Sequence, residues 1–321
     1  MKIFHSLDEF PATFDPCVAT IGNFDGVHLG HRWVIAEVIT RARALGLPSL
    51  AITFDPHPAC VLRPELPLPL ITPLKQKLEL LRATGIDAVL VLPFTEEFSR
   101  TSARDFAQKI LRDRLHVHEM HEGENFRFGH HAEAGIESLE ALGKELGFAV
   151  RCYSPRILRG GPISSSRIRS LIATGDMGNA RTLLGRPFSI ASTPASGRGY
   201  GTRYTVPTIN LAPYAELLPV GGVYITQLTI NGETFDAVTN IGNRPTFAAE
   251  FADNPITVES HLLNFHPIDL SEKTPLELTF LKRLRAEQKF PSPEALREQI
   301  GRDVRRAVRY FSLCRALHRA S

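Results

Sequence analysis

The run Cys17-Val18-Ala19-Thr20-Ile21 is followed by a turn rich in glycine, and then by a segment from Leu29 to Leu45 with Val34, Ile35, Val38, Ile39 and Ala42 on one helical face. A second apolar run follows from Ser49 to Phe54. Strand, helix and strand in that order make a βαβ unit, which requires parallel strands joined by a right-handed crossover. The alternation continues. Helical patterns lie near Leu74–Ala83, Ala103–Arg114, Ile136–Leu146 and Ser166–Ala173, with strand-like runs at Ala88–Leu92 and Phe148–Tyr153. Helices alternating with short apolar strands predict an α/β fold with a doubly wound parallel sheet.

The texture changes after Leu184-Gly185-Arg186-Pro187. Short alternating runs follow at Val206–Leu211, Val223–Ile230, Thr234–Ile241, Ile256–Leu263 and Leu276–Phe280, and Asn231-Gly232 separates two of them as a two-residue hairpin turn. This spacing predicts a small antiparallel β-barrel. A terminal helix then opens with Ser292 as its cap and Pro293 in the first position. At 321 residues, two cores are expected, with domains at 1–186 and 187–321. From Lys282 to Arg319 there are eleven Lys or Arg against four Asp or Glu. Leu296, Ile300, Val304, Val308 and Phe311 form a stripe in that segment, which predicts packing on a core rather than contact with nucleic acid or a membrane.

Gly22-Asn23-Phe24-Asp25-Gly26-Val27-His28-Leu29-Gly30-His31 lies between the first strand and the first helix, where open α/β sheets bind ligands. Free N–H groups and the helix dipole make such a terminus an anion site, and Gly22, Gly26 and Gly30 let backbone approach a phosphate closely. His28 and His31 are three apart and share a face of the opening turn, where they suit charge developing on a transferring phosphoryl group. Ile163-Ser164-Ser165-Ser166-Arg167-Ile168-Arg169 opens a later helix with hydroxyls, fresh N–H groups and a guanidinium. In the second half there is no Walker A sequence. A phosphate loop there would instead be Gly197-Arg198-Gly199-Tyr200-Gly201, leading into Val206-Pro207-Thr208-Ile209-Asn210. Thr208 and Asn210 point the same way on a strand and offer hard oxygen ligands for Mg2+. His116, His118 and His121 cluster without a carboxylate or thiol at useful spacing, so no metal site is assigned to them.

These segments carry a family resemblance. Gly22–His31 resembles the HxGH signature of the nucleotidyltransferase superfamily, and Ile163–Arg169 resembles its partner motif, ISSTxIR. From about residue 15 to about residue 311 the chain resembles the prokaryotic bifunctional riboflavin kinases/FAD synthetases. Further landmarks are Thr53–Pro58, Lys75–Leu81, Gly123–Gly129 and Leu183–Pro187. The resemblance implies a Rossmann-like nucleotidyltransferase domain that adenylylates FMN to FAD, and a barrel that phosphorylates riboflavin to FMN with ATP and Mg2+. It implies catalytic roles for His28, His31 and Arg169, and ATP contacts from Gly22, Asn23, Asp25, Gly30, Ser164 and Ser165. In the barrel it implies Glu259 as catalytic base, Gly199 and Gly201 against ATP, and Thr208 and Asn210 on the metal. Flavin contacts would come from Asn125, Phe126, Phe128, Asn240 and Arg285. The chain departs from the family pattern at Asn125 and through the kinase loop at Thr202, Arg203 and Thr205.

The four cysteines are scattered, and no apolar run approaches the roughly 18 residues that span a bilayer. Together with a start lacking a signal-peptide pattern, this predicts a cytoplasmic enzyme acting on small molecules, with no nucleic-acid or membrane partner. The rival reading is a monofunctional nucleotidyltransferase with a vestigial or regulatory barrel.

Overall fold

A computed structural model of the chain describes residues 1–66, 68–195, 208–243, 256–266, 268 and 270–319. The chain divides into two compact units, Met1–Ser165 and Ser166–Ser321.

In the first unit, strands β1 (Lys2–Phe4), β2 (Cys17–Ile21), β3 (Ser49–Asp55), β4 (Ala88–Pro93), β5 (Val117–Gly123) and β8 (Ala149–Tyr153) form one parallel sheet in the order β1-β4-β3-β2-β5-β8. Chain order reverses between β2 and β5, so the switch-point crevice lies at their carboxyl ends. Strand side chains alternate between two cores. Ala51, Val89 and Val91 pack under helices α1 (Leu29–Leu45) and α3 (Leu74–Arg82). Cys17, Ala19, Leu50, Ile52 and Leu90 pack under a π-helical turn (Phe106–Arg112) and helix α6 (Ile136–Leu146). This is the doubly wound arrangement expected. β5 carries no strand signature, because Glu119, His121 and Glu122 interrupt its apolar pattern although all three are buried.

Helix α7 (Ser165–Ala173) starts at the last residue of the first unit, and α8 (Met177–Leu184) follows. Strands β11 (Phe188–Ser192), β12 (Thr208–Asn210), β13 (Gly222–Ile230), β14 (Glu233–Asn243), β15 (Ile256–Leu262) and β16 (Leu276–Arg285) form an antiparallel sheet in the order β11-β16-β13-β14-β15-β12. The sheet curls until its two edges meet, with Ala195 N–H donating to Asn210 O and Ala212 N–H to Thr193 O, both at 2.8 Å. Tyr224, Leu228, Ala237, Leu262, Leu278 and Phe280 fill the interior. Thr226, Thr239 and Ser260 pass hydroxyl hydrogen bonds along it at 2.7 and 2.8 Å.

Helix α9 (Pro293–Arg319) packs Ala307 and Phe311, with Val304 beside them, on Val223, Ile225 and Val238 of the barrel's outer face. The predicted stripe is only partly used: Leu296, Ile300 and Val308 are 40%, 45% and 45% exposed. Residues four apart drift by about 40° per step around a helix of 3.6 residues per turn, so that row leaves the contact line. Asp303 replaces it in the buried row, taking hydrogen bonds from Arg285 Nε and Gln299 Nε2 at 2.9 Å each.

The two units divide after Ser165, the first residue of α7, and α8 lies against β11 and β16. Met177, Ala180, Leu183 and Leu184 are all buried. Each large apolar side chain so placed contributes about 1.5–3 kcal/mol. A fragment beginning at Ser166 is therefore expected to unfold at a distinctly higher urea midpoint than one beginning at Pro187. Equal midpoints would show that α8 adds nothing to the barrel.

Candidate active sites

The turn after β2 is held in an unusual shape. Phe24 and Val27 have φ of 47° and 38°, a region that side chains such as valine rarely enter, and Gly26 has φ of 86°. Burial of the Phe24 and Val27 side chains offsets that strain. Asp25 is buried, and its carboxylate accepts from Ile71 N–H at 3.2 Å and Thr72 N–H at 3.0 Å. Gly26 N–H donates to Thr72 Oγ1 at 2.9 Å. Asp25 thus shapes the loop through its carboxylate, while Asn23 is exposed. The Lys77 ammonium, also buried, donates to Asn23 O (3.2 Å), Thr53 Oγ1 (3.1 Å) and Phe54 O (3.1 Å).

His28 caps α1, its Nδ1 accepting from His31 N–H at 3.2 Å. A neutral His28 therefore carries its proton on Nε2. The two imidazoles stack, with centroids 3.6 Å apart and 16° between planes, and His31 meets Phe24 edge-on at 5.3 Å. A Cβ on Gly30 would sit 3.1 Å from His28 Cε1, so the stack needs glycine there. Burial, then His28 and Lys77, push the His31 pKa well below its ordinary 6.5. The ring is neutral at physiological pH, and its Nδ1 is buried without a hydrogen-bond partner among the described residues. Ser165 lies at the start of α7, with its hydroxyl donating to Asp25 O at 2.8 Å, so the structure brings the serine motif to the histidine turn. Arg169 lies one turn further along α7, in the second unit, on the face of Ser165.

On the expected flavin side, Asn125 is exposed in the turn before β6 (Arg127–Phe128). Phe126 is half-buried and stacks on Phe128 at 5.3 Å, whereas Phe128 is buried against Phe106 at 6.1 Å and belongs to the core. Phe54, Phe94 and Phe98 continue the aromatic run with centroids 5.4 to 6.1 Å apart. The structure adds Phe94, Phe98 and, from within the Lys75–Leu81 landmark, Lys77 to the candidate residues. Their signals were an i, i+4 aromatic pair and a lysine on the apolar side of an amphipathic helix. His121 is occupied by Glu119 Oε1 (3.1 Å) and Tyr153 OH (2.8 Å).

In the barrel, strand register assembles the second constellation. β12 pairs with β15 so that Asn210 faces Glu259 and Thr208 faces His261. β14 pairs with β15 so that Asn240 faces Glu259 from the other side. Asn210, Glu259 and Asn240 therefore stand abreast on one face of three strands. Thr208 Oγ1 and His261 Nδ1 hydrogen bond at 3.2 Å, and burial lowers the His261 pKa below its usual 6.5. Asn210 Oδ1 is buried and has no hydrogen-bond partner among the described residues. His261 went unremarked in the sequence, though it lies two residues from Glu259 on the same side of the strand. Arg285 is held by Asp303 and lies over the Phe290 ring at 5.7 Å. Gly199 and Gly201, the departures at Thr202, Arg203 and Thr205, and the loop beyond Asn243 lie outside the described residues.

A family model for FAD synthetase matches residues 11–167, and one for riboflavin kinase matches residues 184–311. A Pseudomonas fluorescens protein named bifunctional riboflavin kinase/FMN adenylyltransferase is 36% identical, covering 95% of this chain and 96% of its own. Proteins of the same name from Escherichia coli K12 and Bacillus subtilis 168 are each 33% identical, with 96% and 92% of both chains covered. A solved structure from Streptococcus pneumoniae, described as a macrolide-efflux protein, superimposes with a TM-score of 0.78 at 25% identity, over 94% of this chain and 96% of that one. Among the described residues here, no helix is long and apolar enough to cross a membrane.

The neutral burial of His31 has a stability consequence. Below pH 6.5 the unfolded chain binds a proton that the folded site refuses, so stability falls as pH drops through that value. His31→Gln is expected to flatten the decline in Tm between pH 7 and pH 5 relative to wild type. Parallel profiles would mean that His31 takes up a proton freely in the folded protein.

Proposed function

The chain belongs to the bifunctional riboflavin kinase/FMN adenylyltransferase family, and from that premise we propose which residues perform each reaction. The protein is a transferase that phosphorylates riboflavin to FMN and adenylylates FMN to FAD, with ATP as donor in both steps. A monofunctional enzyme with a vestigial barrel is set aside, since relatives of the bifunctional name align over nearly the whole chain. The observation that carries the residue assignment is that each unit gathers its own constellation: the stacked His28–His31 pair at the switch point, and the Asn210–Glu259–Asn240 row on the barrel.

In the first unit, an oxygen of the FMN phosphate attacks the α-phosphorus of ATP and pyrophosphate leaves, with no covalent enzyme intermediate. The N–H groups opening α1, together with His28 and His31, receive the triphosphate, and a neutral His31 avoids burying two like charges 3.6 Å apart before the anion arrives. Gly22 and Gly30 keep the backbone close, Asn23 offers an exposed amide, and Asp25 holds the turn. Ser164 and Ser165 present the start of α7, with Arg169 neutralising phosphate oxygens through its guanidinium. Asn125 and Phe126 line the isoalloxazine side, with Phe128 supporting Phe126 from the core.

In the second unit, Glu259 takes the proton of riboflavin's terminal ribityl hydroxyl, whose oxygen attacks the γ-phosphorus of ATP as ADP leaves. The donor set fits Mg2+: Asn210 Oδ1 is a buried oxygen with no hydrogen-bond partner among the described residues, and Thr208 adds a hydroxyl beside it. The ion, when bound, neutralises charge on the ATP phosphate oxygens. Gly199 and Gly201 would wrap those phosphates, while Asn240 and Arg285 border the flavin. The domain junction is proposed within residues 166–187, and the cytoplasm as the compartment, where the four free cysteines stay reduced.

Riboflavin, ATP and Mg2+ are incubated with each variant, and riboflavin, FMN and FAD are separated by chromatography. His28→Ala and His31→Ala are each expected to lower FAD formation about 10²- to 10³-fold while FMN formation continues. Near-normal FAD synthesis in both would remove them from the site. Glu259→Gln is expected to stop FMN formation but leave adenylylation of supplied FMN intact, and Asn210→Ala to raise the Mg2+ concentration needed for half-maximal phosphorylation. Turnover of riboflavin by Glu259→Gln at the wild-type rate would exclude the carboxylate as base.

A further inference from the structure

Strands β9 (Ile157–Leu158) and β10 (Gly161–Pro162) form a hairpin just before the serine motif, turning through Arg159 and Gly160 with φ of 53° and 75°. Two-residue strands give little stability of their own, so this hairpin sits where its ends are held. Its ends are Arg156 and Ile163, joined by Ile163 N–H donating to Arg156 O at 2.9 Å. The Arg156 guanidinium lies 4.1 Å above the centre of the Trp33 ring. Trp33 is on α1, two residues beyond His31, and meets Tyr153 edge-on at 5.0 Å. Tyr153 is in turn fixed by His121, His121 by Glu119, and Glu119 by Arg41 and Arg151 at 2.9 Å each. On the far side of the hairpin, the Ile163 carbonyl lies 3.6 Å from where a Cβ on Gly30 would be, and Ser165 reaches Asp25 O.

We propose that Arg156 and Trp33 are positioning residues for adenylylation, their stack setting where Ser164 and Ser165 stand relative to the His28–His31 turn. The proposal rests on the assignment of that turn and the serine motif as the triphosphate site. Sequence placed the two motifs on separate elements and offered nothing to join them. The structure supplies a side-chain clamp at one end of the hairpin and a hydroxyl-to-carbonyl bond at the other. Neither Arg156 nor Trp33 needs to touch ATP. Loosening their contact lets the segment carrying the serine N–H groups drift from the histidines, which weakens capture of the triphosphate and leaves the flavin side alone.

Trp33 is the chain's single tryptophan, so its emission reports on this contact in the full-length enzyme. Arg156 is exposed and Trp33 partly buried, and a cation–π pair so exposed has a strength equivalent to about a two- to fivefold change in an equilibrium constant. Arg156→Ala is therefore expected to raise the KM for ATP in adenylylation about two- to fivefold, with kcat changed less than twofold and the KM for FMN unmoved. The Trp33 emission should shift as the guanidinium is removed. Arg156→Lys, which keeps a cation over the ring, should restore most of the ATP affinity. Trp33→Leu should give the same rise, and adding Arg156→Ala to it should give no more. Trp33→Phe serves where the leucine variant is unstable, and riboflavin phosphorylation by the same samples serves as the internal control. An unchanged ATP KM in Arg156→Ala, equal rises for ATP and FMN, or additive effects in the double variant would overturn the proposal. His28→Ala is measured alongside: if it too makes FAD normally, the site assignment itself is wrong. If it is inactive while Arg156→Ala matches wild type, only the role of the stack is refuted.

Discussion

The buried ammonium of Lys77 holds the histidine turn, the proposed adenylylation site, in shape. Where β2 and β3 end, backbone carbonyls leave the sheet ladder and need donors that water cannot supply. Lys77 donates to Asn23 O, Phe54 O and Thr53 Oγ1, and so ties the turn after β2 to the end of β3. Burial depresses its pKa, and the nearby charges of Asp55 and Asp25 oppose that shift. Asp25 makes the complementary connection, its carboxylate accepting the N–H groups of residues 71 and 72. With its ends fixed by a cation and an anion, the turn can keep Phe24 and Val27 in strained conformations that present His28 and His31 at the start of α1. The Lys77 charge and the dipole of α1 also make that spot attractive to an anion and hostile to a protonated histidine, which agrees with the low His31 pKa.

In the second unit, strand register replaces the ionic clamp. Asn210, Glu259 and Asn240 are distant in sequence and meet because three strands pair with no slip between them. A one-residue shift of β15 would send Glu259 into the barrel interior and Ser260 outward. The interior hydroxyl chain of Thr226, Thr239 and Ser260 opposes that shift, because Ser260 would lose its bond to Thr239 and leave the chain. Core and site are thus two faces of the same pairing.

Much of this was legible from residue order, and the exceptions have a common cause. α1, β2 and β3 could be read because their buried faces are apolar and their turn is rich in glycine. β5 could not, since Glu119, His121 and Glu122 lie inside the protein and read as solvent-facing residues. Each is buried because a partner from elsewhere satisfies it: Arg41 and Arg151 for Glu119, and the Ile21 N–H for Glu122 at 2.6 Å. The burial of Lys77 escaped notice for the same reason. The α9 stripe failed differently, because spacing of four mimics a packed face while turning away from it. Periodicity reports which residues are apolar. It cannot report which polar residues will find a buried partner, and those are the residues that shape the first site.

The contrast between the two sites follows from their nucleophiles. FMN presents a phosphate monoester, already ionised near neutral pH, so its attack needs no base and is hindered by any free negative charge nearby. Two buried carboxyl groups beside that turn are engaged in structure: Asp25 by residues 71 and 72, and Glu122 by Ile21, with burial raising the Glu122 pKa well above its ordinary 4.5. Riboflavin presents an alcohol, which attacks slowly until its proton is removed, and there a half-buried carboxylate, Glu259, stands between two amides on an open strand face. On the proposed assignment, Asp25 and Glu122 are thus buried and bonded where the nucleophile is an anion, and Glu259 stays partly accessible where the nucleophile must become one.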